Sequence, residues 1–250
     1  MDAAPPHLPH DQYLEFLAVD GPALRSGAAK DLSAGVPGCP EWDVAALVAH
    51  VGTVYRMVDR ILRTRAQEFV RRPEAEAPPE GSAVLEWYDA GLDALRGDLV
   101  GIGPEVEVWN LSGTPGPAAF WFRRMAQETA VHRWDAQSAT GEPNPIDSDL
   151  AADGIAELLE TLLPARLARG APPPFSGSLH VHTTDVSGEW TVRASSDGLD
   201  VERGHAKGDA AIRGPASEVL LALWGRPTME RVEVLGDRAV VERWREQVRL

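Results

Sequence analysis

Apolar positions recur at helical spacing through the first two thirds of the chain, then switch to strand-like alternation. Tyr13, Leu14, Phe16, Leu17 and Leu24 line one side of a first helix, with Asp11 placed to cap it and Gly21-Pro22 placed to kink it. A turn-rich stretch follows at Gly35, Pro37, Gly38 and Pro40. Asp43 opens the strongest pattern, in which Val44, Leu47, Val48, Val51, Val54, Tyr55, Val58, Ile61 and Leu62 form one sustained stripe. Residues 73–81 are rich in Pro and Glu and predict an exposed loop. Ser82 starts a third helix carrying Leu85, Trp87, Tyr88, Leu92, Leu95 and Leu99. A Gly/Pro loop at 112–117 leads to a fourth helix over Pro117–Ala139, and a fifth is predicted over Ser148–Ala168. Four long amphipathic helices bury their stripes most simply as a four-helix bundle.

Gly170–Gly177, with three consecutive prolines, reads as a linker. Beyond it Leu179, Val181 and Thr183 alternate with His180, His182 and Thr184, the period of a half-buried strand. Glu189–Ala194 and Gly198–Arg203 predict a hairpin around Ser195-Ser196-Asp197-Gly198, and Asp209–Arg213 another strand. A helix (Pro215–Trp224), a strand (Arg231–Leu235) and a last helix (Asp237–Val248) complete the chain. The expected fold class is therefore two-domain α+β, with a helical bundle over 1–170 and a small α+β domain over 176–250.

Composition narrows the function. The 250 residues hold 38 acidic and 24 basic side chains, a net charge of −14, which is the wrong sign for a general nucleic-acid binder. No apolar run approaches the length of a transmembrane helix, and the N-terminus lacks the basic and apolar regions of a secretory signal. Only Lys30 and Lys207 are lysines, a mark of GC-rich coding. The single cysteine, Cys39, excludes an internal disulfide and a multi-cysteine zinc site, and a reducing cytoplasm is the expected location.

The fourth helix carries the chemistry. On a helical wheel Phe120, Trp121, Met125, Val131, Ala136 and Ala139 share one arc with Arg124, Glu128, His132 and Asp135, while Arg123, Gln127, Arg133 and Trp134 fall outside it. Charged groups on a face that should be buried need partners. Glu128 and His132, spaced i,i+4, can present two ligand atoms to one metal ion. His50, at the edge of the second helix's stripe near Val54 and Ile61, is the best third ligand. A His₂Glu set leaves a fourth position open, as catalytic zinc sites do. The same residues also allow a plainer reading, a hydrogen-bonded Glu–His pair and an unrelated histidine at a helix edge.

The segments Trp42-Asp-Val-Ala-Ala-Leu-Val-Ala-His50-Val and Arg123-Arg-Met-Ala-Gln-Glu128-Thr-Ala-Val-His132-Arg-Trp-Asp135-Ala together resemble the mycothiol-dependent maleylpyruvate isomerase family, an actinobacterial branch of the DinB-like metal-binding bundles. Val219-Leu-Leu-Ala-Leu-Trp-Gly225-Arg226-Pro and Val234-Leu-Gly236-Asp237 resemble its second domain, which is similar to sterol-carrier-protein folds. The resemblance implies zinc on His50, Glu128 and His132, mycothiol as co-substrate, and an arginine from the second domain, best matched by Arg226, that reaches the active site. It further implies an enzyme in which the metal-bound thiol ionises and attacks a small electrophile, by cis–trans isomerisation or S-transfer. Arg226 would hold a substrate carboxylate or a developing enolate. Arg124 and Arg226 are the candidate mycothiol-binding residues.

Asp135, i,i+3 from His132, can orient that ring or pair with an arginine. Cys39 sits in a loop and reads as incidental. His180 and His182 read as the solvent-facing side of a strand, and His7, His10 and His205 carry no signal. A metal-dependent hydrolase with an activated water and a non-catalytic binding module are the alternative functions. Monomer and homodimer are both compatible with the chain, and no nucleic-acid or membrane partner is expected.

Overall fold

The computed structural model describes residues 7–71, 76–196 and 198–248. The described chain divides into two compact units, one of Pro9–Asn144 and one that begins at Pro145. The division falls ahead of the fifth helix, not at the Pro-rich segment near 170. The amphipathic stripe of that helix is used by the second unit, where the Ile146 amide donates to Ser217 Oγ at 2.9 Å.

The first unit is built from α1 (His10–Ala28), α2 (Val44–Thr64), α3 (Ala83–Ile102) and α4 (Ala119–Thr140). Asp43 caps α2, its Oδ1 accepting the Ala46 amide at 2.7 Å. Asp11 does not cap α1. The helix begins after Pro9, which leaves Asp11 in the first turn, where its charge still complements the helix dipole. α1 packs on α4 and α2 on α3, closing a core of Leu17, Leu24, Leu47, Val51, Tyr55, Tyr88, Leu95 and Trp121. Helix α2 approaches α3 closely at Gly52, where a Cβ would lie 2.4 Å from the Trp87 ring. The loop expected before α4 contains a short hairpin, β1 (Glu107–Trp109) with β2 (Pro115–Pro117), anchored by Trp121 Nε1 donating to the Trp109 carbonyl at 2.8 Å.

Helix α4 is buried far beyond the arc its wheel predicts. Arg123, Gln127, Arg133 and Trp134, expected outside that arc, are all buried. Arg133 shows how the charge is tolerated: its Nε donates to Asp20 at 3.0 Å and its Nη1 to Gln137 at 3.0 Å and to the Asn144 carbonyl at 2.5 Å.

In the second unit the predicted fifth helix is interrupted. α5 (Ser148–Glu157) and α6 (Leu163–Ala168) are separated by a π-helical turn over Leu158–Leu162, in which the Leu163 amide reaches back to the Leu158 carbonyl. Pro164 lacks the amide hydrogen that a regular helix needs there. The sheet has the order β5-β4-β3-β6-β7, from β3 (Gly177–Thr183), β4 (Glu189–Ser195), β5 (Gly198–Arg203), β6 (Ala210–Gly214) and β7 (Glu233–Gly236). Only β3 and β6 pair in parallel. The predicted Ser195–Gly198 turn includes Asp197, which lies outside the described residues. α7 (Ala216–Leu223) and α8 (Arg238–Gln247) pack on β3 and β6 over Leu179, Val181 and Ile212. The opposite sheet face carries His180 and His182. His180 is buried there, not solvent-facing as the alternation suggests. Among the described residues no helix is long and apolar enough to cross a membrane.

Candidate metal centre

The rigid register of α4 sets Glu128 and His132 one turn apart, and the well-capped α2 delivers His50 to the same point. His50 Nε2 lies 3.1 Å and His132 Nε2 3.4 Å from the same oxygen, Glu128 Oε1. One ligand atom from each of the three residues lies within 4.8 Å of the other two. Ligands sharing one tetrahedral zinc at ~2.0–2.1 Å sit about 3.3 Å from one another. The donor set and its spacing therefore fit a divalent ion.

Neighbouring groups fix each donor. His132 Nδ1 is 2.9 Å from Asp135 Oδ2. A proton held on Nδ1 makes Nε2 the atom that meets Glu128, as a donor when protonated and as a ligand when a metal replaces that proton. Arg124 Nη2 donates to Glu128 Oε2 at 3.3 Å, so the other carboxylate oxygen is left for the two imidazoles. The Trp42 ring flanks both histidines, with ring centroids 4.8 Å from His50 and 6.2 Å from His132. Trp42 was not singled out in the sequence, although it stands just before the α2 cap, where a bulky residue can fold back over the first turns.

The electrostatics favour a cation. Burial works to raise the Glu128 pKa, but the His132 charge, hydrogen bonds from His132 and His50, and Arg124 together hold it well below the usual carboxylate range. Burial works to lower His132, yet Glu128 and Asp135 raise it to about 9. Two carboxylates thus stabilise a positive charge at the imidazole, which a proton or a metal can supply.

The structure brings together five of the six site residues expected from sequence, His50, Glu128, His132, Arg124 and Asp135. Arg226 belongs to the other unit, where it is buried and its Nη1 donates to the Trp224 carbonyl at 3.0 Å. Cys39 lies in the turn before α2, its amide bonded to the Val36 carbonyl.

Residues 14–137 match the family profile described as the mycothiol maleylpyruvate isomerase N-terminal domain, and residues 149–243 match its C-terminal domain. The chain belongs to the mycothiol-dependent maleylpyruvate isomerase family. The two matched segments follow the division of the chain into units. Among solved structures, the crystal structure of the mycothiol-dependent maleylpyruvate isomerase is similar over 91% of this chain and 93% of that one, with a TM-score of 0.67 and 14% identity. A histidine-to-alanine mutant of that enzyme matches with the same figures. At this identity the likeness establishes the fold. A ubiquinone synthesis protein, UbiJ-SCP2, covers 40% of the chain at 24% identity with a TM-score of 0.30. No curated protein matches the sequence.

Proposed function

We propose that this family member is a zinc-dependent enzyme that uses mycothiol to act on a small electrophilic substrate, by cis–trans isomerisation or by thiol transfer. The observation that carries the reading is the convergence of His50 Nε2 and His132 Nε2 on Glu128 Oε1, from two helices, at the spacing of ligands to one ion. Zinc, when bound, supplies the Lewis acidity that ionises a thiol whose pKa in water is about 8.5.

The remaining work falls to the chain. His50, Glu128 and His132 hold the ion and leave a position for an exogenous ligand. Asp135 keeps the His132 proton on Nδ1, and Arg124 keeps Glu128 from rotating. Trp42 shields one side of the two imidazoles from water. Arg226 is proposed to anchor a substrate carboxylate, a task suited to a guanidinium with its paired donors.

The test is turnover of a conjugated cis-diacid in the presence and absence of mycothiol. Isomerisation requires the thiol and leaves its concentration unchanged. Thiol transfer consumes it in step with substrate. Turnover at full rate without any thiol would overturn this reading in favour of a hydrolase or a thiol-independent isomerase.

A further inference from the structure

The second unit carries another convergence of metal-binding side chains, made by residues remote in sequence. In the β3–β4 register His182 stands opposite Glu189, and His180 opposite Thr191, so both histidines share the sheet face that bears Glu189. The third contributor arrives by a turn. At the end of β5 the Gly204 amide donates to the Glu189 carbonyl at 2.9 Å, and Gly204 adopts φ 118°, a conformation suited to glycine. The chain is thereby folded back so that His205 Nδ1 lies 3.4 Å from Glu189 Oε2. The other oxygen, Oε1, lies 3.4 Å from His182 Nδ1.

His180 completes the group. Its ring meets that of His205 edge-on, with centroids 5.2 Å apart, and lies 6.0 Å from that of His182. One ligand atom from each of His180, Glu189 and His205 lies within 4.8 Å of the other two. His180 is only 7% exposed, and its Nε2 has no hydrogen-bond partner among the described residues. A buried polar nitrogen without a partner is unfavourable unless a ligand satisfies it.

We propose that His180, Glu189 and His205 form a second binding site for a divalent first-row transition ion, zinc being the best match to two imidazoles and one carboxylate. His182 braces Glu189 through its other oxygen. The ion ties the segment after β5 to the central strand β3. With His205 77% exposed, the site exchanges with solvent, so it binds more weakly than a centre enclosed by helices.

The test is metal stoichiometry on the untagged full-length protein, stripped with chelator and titrated with Zn²⁺ by calorimetry, and with Co²⁺ by visible absorption. The wild type is expected to bind two equivalents. His205→Ala, at an exposed position that leaves the fold intact, is expected to bind one. His180→Ala should match it, with second-site affinity reduced at least ~100-fold. His50→Ala/His132→Ala should retain one equivalent, and adding His205→Ala should remove that one. If His205→Ala and His180→Ala both bind as much metal as the wild type, the second site does not exist, whatever the fate of the first. If the wild type binds one equivalent that His205→Ala and His180→Ala each remove and His50→Ala/His132→Ala does not, the second site stands and the His50 centre fails.

Discussion

Asp135 Oδ2 sits 2.9 Å from His132 Nδ1, and the aspartate side chain is wholly buried. A buried carboxylate is costly without a partner, so the pair holds the imidazole in one orientation and one tautomer. Asp135→Asn keeps the shape but loses the charge. Its metal affinity is expected to fall 10–100-fold, with circular dichroism unchanged. Chelator competition measures this, and wild-type affinity in the variant would remove Asp135 from the centre.

His50→Ala and His132→Ala are each expected to lose the zinc of the His50–Glu128–His132 centre while keeping their helical content, because both side chains lie on long, well-packed helices. Metal analysis after gel filtration reads the outcome. Stoichiometric zinc at the His50–Glu128–His132 centre in both variants would show the ligand assignment to be wrong. Glu128→Gln should be more damaging, since it also leaves Arg124 and a protonated His132 without their shared counter-charge.

The pH dependence follows from the raised pKa of His132. In chelated protein its folded value of about 9 exceeds the ordinary 6.5. The stabilising contribution is then fully present below pH 6.5 and is lost as pH rises through 9. A metal ion replaces the proton, so loaded protein escapes this loss. The zinc-induced gain in Tm should therefore widen from pH 6.5 to pH 9.5, and zinc binding near pH 7.5 should release about one proton from His132. Calorimetry at the first site in two buffers of different ionisation enthalpy counts the protons. Release of none would contradict the ion pair.

Arg226→Ala is expected to lower turnover while zinc content stays at the wild-type level, with the loss appearing mainly in kcat/KM for substrates that bear a carboxylate. Arg226→Lys should recover only part of the rate, because an ammonium does not reproduce a bidentate guanidinium. Equal rates in all three proteins would exclude Arg226 from the site.

The parts legible in sequence were those set by local geometry. The α2 stripe and the Asp43 cap follow from helix periodicity, and the Glu128–His132 spacing places both side chains on one side of a rigid helix. His50 stood out because a histidine at the edge of a continuous apolar stripe can point between helices. Other features depended on contacts distant in the chain. The ion pair of Arg133 with Asp20 buries a face that the wheel of α4 left outside. The grouping of His180 with Glu189 and His205 needed a strand register and a turn, neither of which spacing reveals. The break between α5 and α6 was not read from Pro164, because a proline in the first turn of a new helix and one inside a continuous helix look alike in sequence.

The Asp59 carboxyl offers a check on the bundle that is independent of any metal. Burial, followed by a hydrogen bond and charge repulsion from Asp98 on the neighbouring helix, raises its pKa to about 6. A carboxylate raised above its unfolded value of 3.8 opposes folding once it is ionised, so its penalty is present above pH 6 and vanishes as pH falls toward 3.8. Asp59→Asn removes the repulsion and can donate an amide hydrogen to Asp98. After discounting for partial exposure, the variant should be more stable than wild type by about 1 kcal/mol at pH 7.5. The gain should disappear near pH 4, where both proteins carry a neutral group at this position. Urea denaturation at the two pH values tests the sign, and a variant less stable at pH 7.5 would mean that the attraction of Asp59 to Arg63 and Arg60 outweighs its conflict with Asp98.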